Sequence, residues 1–205
     1  MPESLPRTMR VAEITRPGGP EVLHTPVSVG VTADGSRIYV VENDNDRSNH
    51  HGVVAFDAAG RKVFARSERG SGSGKFSLPI SVAVARDGFV YVLDAGNFRV
   101  QKLTADGLPV LTWGGIGQRP GQFARPRDVA VDDAGHVLVT DSSFGAVQIF
   151  DADGRLLMDL GRFGMNGQPG EFALLAGVAA DETGRVYVVD QVLKQVTVFR
   201  PVSAK

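Results

Sequence analysis

The sequence predicts an all-β fold assembled from four copies of one antiparallel four-stranded unit. Three observations carry that expectation: a repeat, a two-residue apolar alternation inside it, and glycine turns between the alternating runs. Phe76-Ser-Leu-Pro79, Phe123-Ala-Arg-Pro126 and Phe172-Ala-Leu-Leu175 recur at intervals of 47 and 49 residues. Alternating runs of β-branched and aromatic residues read as strands rather than helices. Asp-Gly and Ala-Gly between the runs suit tight hairpins, which need positive φ.

Each element follows in order. The first strand of the repeat is Val82-Ala-Val84, Val129-Ala-Val131 or Val178-Ala-Ala180. A glycine turn leads to a second strand ending in an acid: Val90-Tyr-Val-Leu-Asp94, Val137-Leu-Val-Thr-Asp141 or Val186-Tyr-Val-Val-Asp190. The third strand is Val100–Leu103, Val147–Phe150 or Val196–Phe199, and the fourth is Val110–Trp113 or Leu156–Met158. An earlier copy fits the same template through Val29-Gly-Val31, Ile38–Glu42, Val53–Phe56 and Val63-Phe64. Such a meander cannot bury both faces alone, but units stacked around an axis can. The expected architecture is a β-propeller with blades at about 27–66, 79–113, 126–160 and 175–199. Residues 1–26 form an N-terminal extension and 200–205 a tail. The last copy ends after its third strand, and an open strand edge is a pairing hazard. Arg10–Thr15 is the extended candidate to complete it, closing a ring; the other arrangement is an open arc, completed by another chain or by self-association.

Composition narrows the function classes. The 205 residues carry 22 Lys and Arg against 23 Asp and Glu, a net charge of -1. That balance gives no global field to attract nucleic acid or anionic membrane. Cysteine is absent, which excludes disulfides, thiolate metal sites and a cysteine nucleophile. No apolar run is long enough to span a bilayer, and Met1–Arg7 lacks the apolar stretch of a secretory signal. A cytoplasmic location is the expectation.

Gly121-Gln-Phe-Ala-Arg-Pro126, Asp128-Val-Ala-Val-Asp132 and Tyr91-Val-Leu-Asp94-Ala-Gly-Asn97-Phe-Arg99-Val-Gln101 resemble the NHL-repeat β-propeller family. The resemblance runs from about residue 27 to 199, over four repeats. It implies a fold that hosts scaffolds, binders and enzymes alike. Peptidyl-α-hydroxyglycine amidating lyases are similar propellers with histidine-bound zinc. Their ligand positions are occupied here by Ile80-Ser81 and Arg127-Asp128, so no zinc set is carried over. Some animal NHL domains bind RNA through a basic face; here the same face holds nearly equal numbers of cations and acids.

Candidate chemistry is sparse. Arg69-Gly-Ser-Gly-Ser-Gly-Lys-Phe-Ser77 departs from a phosphate loop, with Arg69 at the first glycine position and Phe76 at the hydroxyl position. Glu42, Asp94, Asp141 and Asp190 recur at the end of each second strand and read as loop caps. The irregular 42–51 loop, with three acids and His50-His51, lacks the central glycine and closing glutamate of a calcium loop. No catalytic set, metal site or cofactor is expected. Arg119, Arg125 and Arg127, with Phe144 and Arg99, are the expected partner-binding residues, because arginine and aromatic side chains anchor interfaces. The expected function is a non-catalytic protein–protein interaction or scaffold module, an accessory subunit of a larger complex. The alternatives are a small-molecule hydrolase or lyase with an axial pocket and, behind it, RNA binding. A homo-oligomer is expected if the propeller is open.

Overall fold

Alternating valines and aromatics between glycine turns fold into four antiparallel sheets. A computed structural model describes residues 23–44 and 50–201. Blade 1 contains β1 (Pro26–Val31), β2 (Arg37–Asn43), β3 (His51–Asp57) and β4 (Lys62–Arg66). Blade 2 contains β5 (Pro79–Val84), β6 (Val90–Asp94), β7 (Arg99–Leu103) and β8 (Pro109–Gly114). Blade 3 contains β9 (Pro126–Val131), β10 (Val137–Asp141), β11 (Ala146–Phe150) and β12 (Leu156–Leu160). A short parallel pair, β13 (Arg162–Phe163) and β14 (Glu171–Phe172), closes the next loop. Blade 4 has three strands among the described residues: β15 (Leu175–Ala180), β16 (Val186–Asp190) and β17 (Gln195–Phe199). The strand expected over Arg10–Thr15 lies outside the described residues.

The turns repeat one device. Asp57, Asp132, Asp151 and Asp181 each accept backbone N–H groups two and four residues on. The glycine of each turn has positive φ, from +76° at Gly154 to +85° at Gly135. A carboxylate that ties its own backbone back sets such a turn locally.

Blades stack through apolar faces. Tyr39, Val41, Val53 and Ala55 of blade 1 pack on Val82, Val90, Val92 and Leu103 of blade 2. Tyr91, Leu93 and Val100 meet Val129, Val137, Val139 and Phe150 of blade 3. Leu138 and Val147 meet Val178, Val186 and Val188 of blade 4. Phe76, Phe123 and Phe172, the repeat markers, are fully buried. The inner strands carry a second link. Val82 N donates to Ser28 Oγ at 3.2 Å, Val129 N to Ser81 Oγ at 3.4 Å, and Val178 N to Asp128 Oδ2 at 2.9 Å. The residue at the same place in blade 4 is Gly177, which has no side chain to accept.

β1 packs on β5, β5 on β9 and β9 on β15; among the described residues β15 and β1 share no comparable interface. The blades therefore form an open arc of a propeller, the second of the two arrangements the repeat count allows.

Candidate functional site

The buried acids build the loop face before any ligand is considered. Asp94 accepts the N–H groups of Ser77 and Leu78, a bond from Asn97 Nδ2 and one from Arg99 Nε at 3.1 Å. Asp141 accepts Ala124, Arg125 and Ser143 N–H groups. Asp190 accepts Ala173, Leu174, Val192 and Leu193 N–H groups. Burial pushes the Asp190 carboxyl up, but those four donors outweigh it and hold the group below its usual range. Glu42 accepts His24 N at 2.6 Å. Each acid holds the loop that enters its own blade.

Two glutamines do the same for the glycine-rich loops. Gln101 accepts Gly74 N and donates to Lys75 O; Gln148 accepts Gly121 N and donates to Gln122 O. Sequence reasoning passed over them, although Val100-Gln101 and Val147-Gln148 occupy one place in the repeat.

Among the five expected partner-binding residues, two come together. Arg119 and Phe144 line an open cavity of about 220 Å³ with Gln118, Pro120, Asp159 and Arg162. Arg119 is exposed and Phe144 half-buried. Arg162 Nη2 reaches Glu171 Oε1 at 3.2 Å. Partial burial pushes the Asp159 carboxyl up. Asp159 was not singled out from sequence, because its partners across the cleft come from loops some 15 to 40 residues earlier. Arg125 is exposed and Arg127 half-buried on β9, both outside this cavity. Arg99 faces inward: its Nη1 donates to Ser71 O, its Nη2 to Gly72 O and Lys75 O, with Nε on Asp94. It clips the 71–75 loop in place.

A larger apolar cavity of about 550 Å³ is lined by Ile149, Leu157, Met158 and Leu160 of blade 3 and Val186 and Phe199 of blade 4, among others. Among the described residues, no three His, Asp or Glu side chains converge as metal ligands. No helix among them is long and apolar enough to cross a membrane.

Stacked four-stranded antiparallel blades around an axis define the β-propeller class. The chain carries NHL repeats: the NHL repeat family matches residues 76–103 and 123–150. No curated protein matches the chain. Among solved structures it is similar to a structural-genomics protein from Bacteroides thetaiotaomicron, at TM-score 0.64 and 18% identity, over 85% of this chain and 47% of that one. It is similar to a gluconolactonase from Xanthomonas campestris at TM-score 0.57 and 18% identity, over 82% and 55%. Virginiamycin B lyase from Staphylococcus aureus matches at TM-score 0.56 and 10% identity, over 87% and 56%. The chain thus spans about half the length of these proteins, and the likeness is one of fold.

Proposed function

We propose that the protein is a non-catalytic interaction module that presents its loop face to a carboxylate-bearing protein partner. The cleft that brings Arg119 and Arg162 beside Phe144 carries the reading. Its size suits one or two side chains rather than a large ligand, and arginine with an aromatic is the composition of an interface anchor. Exposed guanidinium groups steer an acidic partner during encounter. Arg125 extends the positive rim beyond the cavity. Supporting this use, the loops that bear these residues are pinned from beneath by Asp141 and Gln148, so the surface is preorganised.

The test is capture from the native source followed by affinity measurement with the recovered partner. Arg119→Glu with Arg125→Glu should weaken binding about tenfold or more while the circular dichroism stays the same. The loss should shrink at high salt, because exposed charges are screened. Unchanged affinity removes this cleft from the interface. The alternative, a hydrolase or lyase with an axial pocket, draws only on the fold shared with lyase and gluconolactonase neighbours at 10% and 18% identity.

A further inference from the structure

Two of the three clefts between blades are filled by aromatic rings, and the third is not. In the first, Phe64 of β4 packs on Tyr39 with ring centroids 6.3 Å apart, and a Cβ on Gly107 in the next blade would meet the Phe64 ring. In the second, Trp113 of β8 packs on Tyr91 at 6.0 Å and on Phe150 at 5.9 Å, and a Cβ on Gly154 would meet the indole. Each of these clefts takes a tyrosine from the second strand of the earlier blade and a ring from its fourth strand. At the ladder position of Tyr39 and Tyr91, blade 3 has Leu138. At the positions of Phe64 and Trp113 it has Met158 and Leu160. Both rings are missing from the third cleft, and the cavity of about 550 Å³ lies there.

The cleft is apolar and open. Leu157 is 51% exposed, and Met158 53%, where Phe64 at the same position is half-buried. An unbranched thioether adapts its shape to what is placed against it. Every Phe, Tyr and Trp of these 205 residues lies among the described ones, so no other segment of them brings a ring to the cleft. At the rim, Asp132 and Arg200 carry opposite charges, and His136 Nδ1 bonds to Asp132 Oδ2 at 2.8 Å. The rim therefore offers hydrogen-bonding groups without a net charge to select an ion. A volume of this size, with apolar walls and few polar groups, is that of a small-molecule site.

We infer that the cleft between blades 3 and 4 binds an uncharged aromatic small molecule of one or two rings. Its apolar face rests on Met158 and Leu160, where the sister clefts hold rings of their own, and its polar edge meets His136 and Arg200. This site goes beyond the interaction reading and shares no lining residue with the Arg119 cleft.

The probe is N-phenyl-1-naphthylamine, an uncharged aromatic that brightens in apolar surroundings. Titrating the full chain into it should give saturable binding, one probe per chain, with Kd below about 100 µM. In protein labelled with carbon-13 at the methionine methyls, the Met158 signal should shift on saturation and the Met165 signal, from a loop outside the cleft, should not. Leu160→Trp supplies the counterpart of Trp113 and Met158→Phe that of Phe64. Each should weaken probe binding at least tenfold with unchanged circular dichroism. Val29→Ser removes an exposed apolar side chain elsewhere and should leave binding as it was. The absence of saturable binding overturns the inference. So does undiminished binding by both filled variants, or a shift at Met165 in place of Met158. Arg119→Glu with Arg125→Glu should not change probe binding, so this test and the partner test fail independently.

Discussion

Single carboxylates hold this fold at points where many backbone donors converge. Asp141 accepts three N–H groups from two loops, and removing it strands all of them. Asp141→Ala should therefore cost about 1–3 kcal/mol, and Asp141→Asn less, since one acceptor oxygen remains. Urea unfolding checks the order; equal effects would mean that the acceptor is not what matters. Asp190 predicts a pH dependence. Its folded pKa lies below the usual value, so its contribution is fully present above about pH 4 and is lost as pH falls through the folded value. The stability gap between wild type and Asp190→Asn should be widest at pH 6 and close toward pH 2.5. A gap that is constant over that range would exclude the carboxylate as its source.

At the scale of elements, turns and neighbouring blades interlock. A Cβ on Gly154, at φ +76°, would come within 2.8 Å of the Trp113 ring. Gly135, at φ +85°, has open space around it. Gly135→Ala should cost roughly 1–2 kcal/mol from the left-handed backbone alone. Gly154→Ala should add about 1–3 kcal/mol of overpacking against Trp113. Thermal melts of the pair separate the two terms, and equal melting points would show that Trp113 simply moves aside. The strands themselves were legible from sequence, because the Phe76, Phe123 and Phe172 markers and the valine alternation repeat in order. The role of Arg99 was not. Its loop partners lie 24 to 28 residues earlier, and nothing in local spacing announces that a glycine-rich segment folds back over it. The Arg119 cleft was half legible: Phe144 stood out for having no equivalent in other repeats, whereas Asp159 sits where blades 1 and 2 have Ala65 and Thr112.

Across the whole molecule, protection from solvent follows position in the arc. Blades 2 and 3 pack against another blade on both faces, blades 1 and 4 on one, and the other face of blade 1 is covered in part by Leu23. In a stacked array each unit is stabilised by its own strands plus its neighbours. Hydrogen exchange should therefore show β5–β12 as the slowest segment and β15–β17 as faster. Uniform exchange across all four blades would mean that the arc opens as one cooperative body.

The inner-strand links give the arc a direction. An amide of the later blade always donates to a side chain of the earlier one, through Ser28, Ser81 and Asp128. Gly177 breaks the series at the outgoing end. A blade packed on the forward face of blade 4 would lack that inner-strand bond, about 1 kcal/mol or roughly fivefold in affinity. A single Gly177→Ser replacement would give the outgoing face the acceptor that the three internal joints use.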